Sequence, residues 1–348
     1  MSPRRRRRLT TVPTSLQAPG LASRDVTLTP GAIAFEDLEV HRRELTAYCY
    51  RMLGSGYDAE DAVQETLVRA WRAAEGFEGR SSLRSWLYRI ATNVCLDAQR
   101  SRKRRARPME MGPARPPVEA SLEWQLAEGS WVSPVADDRV LPPEADPAEL
   151  AAARETIRLA FVAALQHLPA RQRAVLILCE VLRWHAAEVA ELLDMSVPAV
   201  NSALQRARTT MADVSPDTGP GPVDAAQRAL LDDFVDAFER YDIDKLVTLL
   251  RHDVVQSMPP FAMWLQGPED VRAWWLGPGA GCEGSRIVEV QANGSPAFAQ
   301  FKPDPDGGYA PWALHLVEVE DGKIAGIHSF LDTAELFPEF GLPAHLPA

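Results

Sequence analysis

The stretch ELLDMSVPAVNSALQRAR, residues 191–208, decides how this chain is read. In the overlapping HAAEVAELL, residues 185–193, Ala186, Val189, Leu192 and Leu193 share one helical face. After Asp194 and Met195 the hydroxyl of Ser196 is placed to cap a new helix, and Pro198 falls in a first turn where its missing N–H does no harm. Val197, Val200, Leu204, Ala207 and Met211 then recur at intervals of three and four, which predicts one buried stripe. The pattern is helix, tight turn, helix. At 100° per residue, Ser202 and Arg206 point away from that stripe, Gln205 lies beside them, and Asn201 and Arg208 sit nearer its edge. An outward amide, hydroxyl and arginines match what base edges and phosphates accept in a major groove. An ordinary helical hairpin with a wetted polar face explains the same pattern, and for this helix alone the two readings stand level.

Size and charge narrow the classes around it. At 348 residues and 46% hydrophobic, the chain is long enough for two or three domains with real cores. No window approaches the roughly 18 apolar residues of a membrane helix, and the arginines of MSPRRRRRLTTVPTSLQ precede no hydrophobic segment. A cytoplasmic protein without membrane contact is therefore expected. Cys49, Cys95, Cys179 and Cys282 have no paired spacing, so neither a zinc site, a disulfide framework nor any other cofactor is expected. The net charge of -11 conceals an asymmetry. Residues 223–348 hold 20 acids and 8 bases, whereas the first 222 hold 28 and 29, with the bases clumped at Arg4 to Arg8 and in RSRKRRAR, residues 100–107. Such clusters neutralise phosphates, although many basic runs are solvated tails.

Composition shifts divide the chain. Residues 1–30 read as a flexible basic leader. Residues 31–107 read as a first helical module and residues 149–213 as a second, separated by an acidic, Pro-rich linker over 108–148 in which Trp124 and Trp131 are unexpected. After a short linker at 214–222, residues 223–348 read as a long helix followed by alternating runs such as RIVEVQANG, AFAQFKP and WALHLVEVEDGK, which predict strands joined by tight turns. The fold class expected is multidomain, two all-α modules followed by an α+β domain.

In the first module, DAEDAVQETLVRAW puts Asp58 where it can cap the helix, Val63, Leu67, Ala70 and Trp71 on an inner stripe, and Asp61, Gln64 and Glu65 outside. In SSLRSWLYRIATNVCLDAQR, the core stripe is Leu83, Trp86, Leu87, Ile90, Ala91 and Val94, with Arg84, Tyr88, Arg89, Asn93, Asp97 and Arg100 off it.

The segment LQHLPARQRAVLILCEVLRWHAAEVAELLDMSVPAVNSALQRAR resembles region 4 of bacterial sigma factors of the ECF group, and GYDAEDAVQETLVRAWRAAEGFEGRSSLRSWLYRIATNVCLDAQRSRKRRAR resembles their region 2. Asp194 stands where the family commonly has glycine. The resemblance implies that Asn201, Ser202, Gln205, Arg206 and Arg208 contact a minus-35 element. It places the minus-10 reader on the FEGRSS loop with Arg84, Tyr88, Asn93, Arg100, Arg102 and Lys103, a base extruded from melted DNA being held in a pocket while cations grip the backbone. It further implies that Asp61, Gln64 and Glu65 clamp a coiled coil of the β′ subunit of RNA polymerase, so that the β and β′ core and promoter DNA are the partners. A solvated acidic face near a helix start is the plainer account of those three residues.

Residues from about 224 to 340 resemble the SnoaL-like, nuclear-transport-factor-2-like fold, a helix-lined curved sheet forming a cone, on phrases such as FVDAFERYDIDKLVTLL and GPEDVRAWW. This resemblance implies control of sigma activity in cis, with a small-molecule ligand of the cone as a candidate partner. His252, Asp253, His315, His328 and Asp332 are the polar candidates if the cone were catalytic, and Trp264, Trp274, Trp275, Tyr309 and Trp312 are candidates to line it or simply to fill its core. The expected activity is that of a sigma factor and not of an enzyme. The alternative is a DNA-binding regulator or enzyme with a ligand-binding or catalytic third domain, working without core polymerase.

Overall fold

The structure, a computed structural model, describes residues 33–100, 104–127, 129–143, 145–214 and 225–348, and the architecture below is that of these residues. The basic leader, Arg102, Lys103 and nearly all of the 214–222 linker lie outside them.

Four helices form the first unit: α1 (Phe35–Glu39), α2 (Arg42–Leu53), α3 (Gly56–Ala73) and α4 (Leu83–Arg100). Gly54 ends α2 in the left-handed conformation at φ 73°, and its N–H returns to the Tyr50 carbonyl at 2.8 Å. The cap of α3 is Ser55, whose hydroxyl accepts from Asp58 N–H. Asp58 itself is not the cap expected from sequence; its carboxylate is nearly buried against Arg105 at 2.5 Å. Trp71 also departs from the expected inner stripe, being 50% exposed and edge-on to Phe35.

The 108–148 segment, read as a tether, is pinned along its length. It carries α5 (Pro108–Met111) and α6 (Asp137–Val140). Leu126 N–H reaches Pro260 O at 2.7 Å, Ala262 N–H reaches Trp124 O, and Trp264 Nε1 donates to Gly112 O, so its middle lies on the C-terminal domain. Its end turns back on the first unit, where Ser133 N–H bonds Gly54 O and Trp131 is buried. Trp124 remains 65% exposed.

The second helical unit comprises α7 (Pro147–Glu155), α8 (Leu159–Leu165), α9 (Ala170–Leu176) with a π turn over Ile177–Val181, α10 (Ala186–Leu193) and α11 (Val197–Val214). Two buried arginines pin it to the first unit. Arg51 on α2 donates to Thr156 O and Oγ1, and Arg173 on α9 donates to Met52 O, Leu168 O and the Gln166 side chain and carbonyl. Burial lowers each guanidinium to about 10, and the oxygens around it substitute for the lost water.

The third unit contains α12 (Ala225–Glu239), α13 (Ile243–Leu249), α14 (Pro268–Leu276), α15 (Thr333–Glu339) and strands β1 (Leu250–Ser257), β2 (Trp264–Gln266), β3 (Arg286–Ala292), β4 (Ser295–Pro303), β5 (Tyr309–Glu320) and β6 (Lys323–Phe330). The sheet runs β2-β1-β6-β5-β4-β3; β1 and β6 are parallel and the other neighbours antiparallel. His315 pairs with Ser329 and Leu316 with His328, so side chains alternate between two faces that are both covered. Phe298, Val317 and Ile327 pack in the cone with residues of α12 to α14. Ala299, Phe301, Leu314, Leu316 and Phe330 belong instead to one continuous apolar cluster with both helical units. At about 1.5–3 kcal/mol for each large side chain buried, that shared face fixes where the domains meet.

Candidate nucleic-acid interface

The turn between α10 and α11 is tight because Asp194 adopts the left-handed conformation at φ 52°, and Met195 N–H closes on Ala190 O at 2.9 Å. Ser196 caps α11 by accepting from Ala199 N–H. The buried face of α11 is Val200, Ala203, Ala207 and Met211; Val197, placed on that stripe by periodicity, is 40% exposed because it lies at the free first turn. Asn201, Ser202, Gln205, Arg206 and Arg208 all stand exposed on the helix. Arg206 donates to Ser202 Oγ at 2.7 Å, which aims the guanidinium along the helix surface. Arg208 is engaged by Glu180 of the π turn.

On α4, Asn93 and Arg100 are exposed, the latter paired with Asp97 at 3.0 Å. Arg84 is half-buried, with Nε donating to Glu44 at 2.7 Å. Tyr88 is not on an open face as expected. It is fully buried, its hydroxyl donating to Glu44 Oε2 and its ring set edge-on to Tyr48 and tilted on Trp184 at 5.1 Å. Burial raises its phenol above the ordinary range. Helical periodicity puts Tyr88 off the core stripe; Tyr48 and Glu44 of the same unit and Trp184 of the other helical unit together bury it.

That covering is part of a wider contact. Arg84 stacks over Trp184 at 5.5 Å, and Arg89 Nη2 donates to Glu191 O at 3.1 Å, so α10 lies against α4. Asn93 looks across a cleft of about 520 Å³ at Leu192, Leu193 and Asp194, with Arg89 and Arg171 on its walls. Of the residues that sequence assigns to the minus-10 element, Asn93 thus faces the end of α10 across this cleft, while the minus-35 residues of α11 lie outside it.

Asp61, Gln64 and Glu65 are exposed together on α3, with Glu65 paired to Arg69 at 2.6 Å. Trp71, two turns further along the same face, extends this surface with an exposed ring, where helical periodicity predicts a buried one. Beside the start of α3 a cleft of about 510 Å³ separates Glu60 and Arg139 from Asp332, Glu335 and Glu339 of the C-terminal domain. Burial raises Glu339, Arg139 opposes this, and Glu60 and Asp61 add to it.

The third domain's polar candidates do not converge. His315 lies in the cone, where Nε2–H donates to Gln300 Oε1 and Nδ1 accepts from Ser329 Oγ; burial lowers it to about 4 and keeps it neutral. His328 lies on the opposite face against Ser257 and Glu318, His252 and Asp253 are at the outer part of β1, and Asp332 opens α15. Trp274, Trp275 and Trp312 line the cone, but Trp264 is held by the interdomain segment and Tyr309 stacks with Arg286 outside. The open space left in the cone is about 40 Å³. Among the described residues no cluster of His, Cys, Asp and Glu suits a metal ion, and no helix is long and apolar enough to cross a membrane.

A helix-turn-helix with an arginine-bearing outer face, a four-helix unit packed against it, and a cone-shaped α+β domain define the class of DNA-reading transcription proteins. Residues 38–105 match Sigma-70 region 2, residues 158–211 match Sigma-70 region 4, and residues 231–327 match the SnoaL-like domain. The chain is 46% identical over 318 residues to the ECF RNA polymerase sigma factor SigG of Mycobacterium tuberculosis, covering 88% of this chain and 83% of that protein. It is 27% identical over 304 residues to SigJ of the same species, covering 84% and 89%. The crystal structure of SigJ shares the fold at a TM-score of 0.58 and 22% identity, covering 89% of this chain and all of that one. The chain belongs to the ECF RNA polymerase sigma factors. It therefore serves transcription initiation, binding RNA polymerase core and promoter DNA, and directs a polymerase instead of catalysing a reaction.

Proposed function

We propose that α11 reads the minus-35 element through Asn201, Ser202, Gln205, Arg206 and Arg208. On this reading α4, with the basic cluster after it, reads and helps to open the minus-10 element, α3 docks on the β′ subunit through Asp61, Gln64 and Glu65, and the C-terminal domain controls these steps in cis. The site of action is the cytoplasm, where polymerase and DNA meet.

The contact between α4 and α10 carries the regulatory part. Elements centred near positions minus-35 and minus-10 lie about 25 base pairs apart, roughly 85 Å at 3.4 Å per pair. With the unit that carries α11 packed on α4 through α10 and Trp184, the two readers cannot span that distance, so this arrangement is a closed form that must separate on a promoter. The C-terminal sheet supports the closed form because its outer face packs into the core shared by both readers. A ligand-filled cone is the second reading of the domain. Its open volume of about 40 Å³ is far below the roughly 300–1,000 Å³ of typical ligand pockets, which favours control through packed surfaces.

Run-off transcription and footprinting with core polymerase test the assignment. Full-length protein is expected to confer a defined start site, and deletion of residues 223–348 to change promoter-dependent output. Failure to associate with core, or to select a start site, overturns the proposal; unchanged output after deletion, across promoters and salt, removes the control in cis.

A further inference from the structure

Asn293 and Gly294 form the tip of the β3–β4 hairpin, both left-handed at φ 55° and 65°. Asn-Gly is the favoured pair for such a two-residue turn, so the sequence is explained locally by hairpin geometry. The side chain does more than the turn requires. Asn293 is fully buried, and its amide is engaged by three separate parts of the chain. Nδ2 donates to the Tyr50 hydroxyl of α2 and to the Ile157 carbonyl just before α8, each at 2.6 Å. Oδ1 accepts from Val135 N–H of the interdomain segment at 3.0 Å, and Asn293 N–H returns to Val135 O at 3.1 Å. Tyr50 passes the connection on by donating to Ser133 O at 2.9 Å.

Gly294 completes the fit. Its N–H donates to Asp137 Oδ1 at 2.7 Å, and a Cβ added there would lie 2.8 Å from Arg154 Cβ on α7. Region 2, the interdomain segment and region 4 thus build a socket closely matched to a primary amide and a bare backbone. Both donors of the amide are used at geometries that only the assembled socket supplies, and an unfilled socket would leave Ile157 O and Val135 N–H buried and unpaired.

We propose that this hairpin tip is an intramolecular latch: the Asn293 amide, inserted between regions 2 and 4, holds the two DNA readers in the closed form. The proposal rests on the reading of the C-terminal domain as a control element acting in cis, and it names the surface and the occupant through which that control is exerted. Release of the tip leaves the α4–α10 contact without its brace on the far side of the core. Anything that draws the hairpin out, including engagement of region 2 by polymerase, favours separation of the readers.

The test uses the full-length chain with Asn293→Gly. Glycine is equally suited to the turn, so the hairpin is retained while every side-chain bond to the socket is lost. Tyr50→Phe removes, from the other side, one of the amide's three side-chain bonds together with the Tyr50–Ser133 link, and serves independently should the first variant fold poorly. Small-angle scattering and hydrogen exchange report separation of the units, and run-off transcription with core polymerase reports activity. Expected are larger dimensions, an open population raised about tenfold or more for Asn293→Gly, a smaller change for Tyr50→Phe, and a less than additive double variant. Dimensions and exchange unchanged in both variants overturn the latch, whatever transcription does. Opening with unaltered transcription upholds the latch and instead removes the control in cis on which its functional meaning rests.

Discussion

Replacing Trp184 with alanine should open the closed form from the DNA-reading side. The indole is tilted on Tyr88 at 5.1 Å between centroids, and Arg84 lies 5.5 Å from its ring. An aromatic pair contributes about 0.5–1.5 kcal/mol beyond its area, and a cation over a ring about 0.5–1 kcal/mol where the cation is partly exposed, as Arg84 is. Together they amount to roughly 1–2.5 kcal/mol, a shift of about 5- to 70-fold toward the open form. Glu44 keeps its bonds to Arg84 and Tyr88, so region 2 itself should stay folded. Scattering should show expansion, and the protein should bind a single-stranded minus-10 oligonucleotide more tightly, because Arg84 and Tyr88 become accessible. A cycle with Arg84→Ala isolates the stacking. Unchanged dimensions together with unchanged oligonucleotide affinity would refute the argument that this contact occludes the reader.

Arg206→Ala or Asn201→Ala should weaken discrimination for the minus-35 element by about 1–3 kcal/mol per lost pair in footprints of the holoenzyme on matched and mismatched promoters; equal loss on all sequences would move these residues to the backbone. Asp61→Arg should abolish association with core polymerase in a competition assay, and Trp71→Ala should weaken it by about 2 kcal/mol as an exposed aromatic anchor, while the fold loses only the edge contact with Phe35. Burial chiefly raises the Asp137 carboxyl to about 6, with the Gly294 N–H opposing. The docked state therefore binds the proton better, and docking should strengthen by about 1 kcal/mol as pH falls from 7 to 5. Asp137→Asn should tighten docking at pH 7.5 and flatten this dependence, measured by hydrogen exchange at the interdomain surface.

Much of the protein was legible in its residue pattern because helix–turn–helix chemistry is local. A period of 3.6 residues, the Ser196 cap and the outward Arg206 are written within a few turns of chain, and so are the exposed carboxylates of α3 and the hairpin signals of the C-terminal sheet. The period gives a face; it does not say what covers that face. Periodicity puts Tyr88 outside because no neighbouring residue reveals that Trp184 closes over it, and it puts Trp71 inside because nothing nearby shows that stripe ending in the open. Pro-rich composition predicted a free tether over 108–148, yet composition does not encode the backbone hydrogen bonds that Pro260, Ala262 and Trp264 supply from far along the chain. Asn293 shows the division most clearly. Its identity is dictated twice, by the turn and by the socket, and the sequence discloses the first because a turn is four residues long. The socket draws its atoms from Tyr50, Val135 and Ile157, and these adjoin one another only once the outer face of the sheet has packed against both helical units.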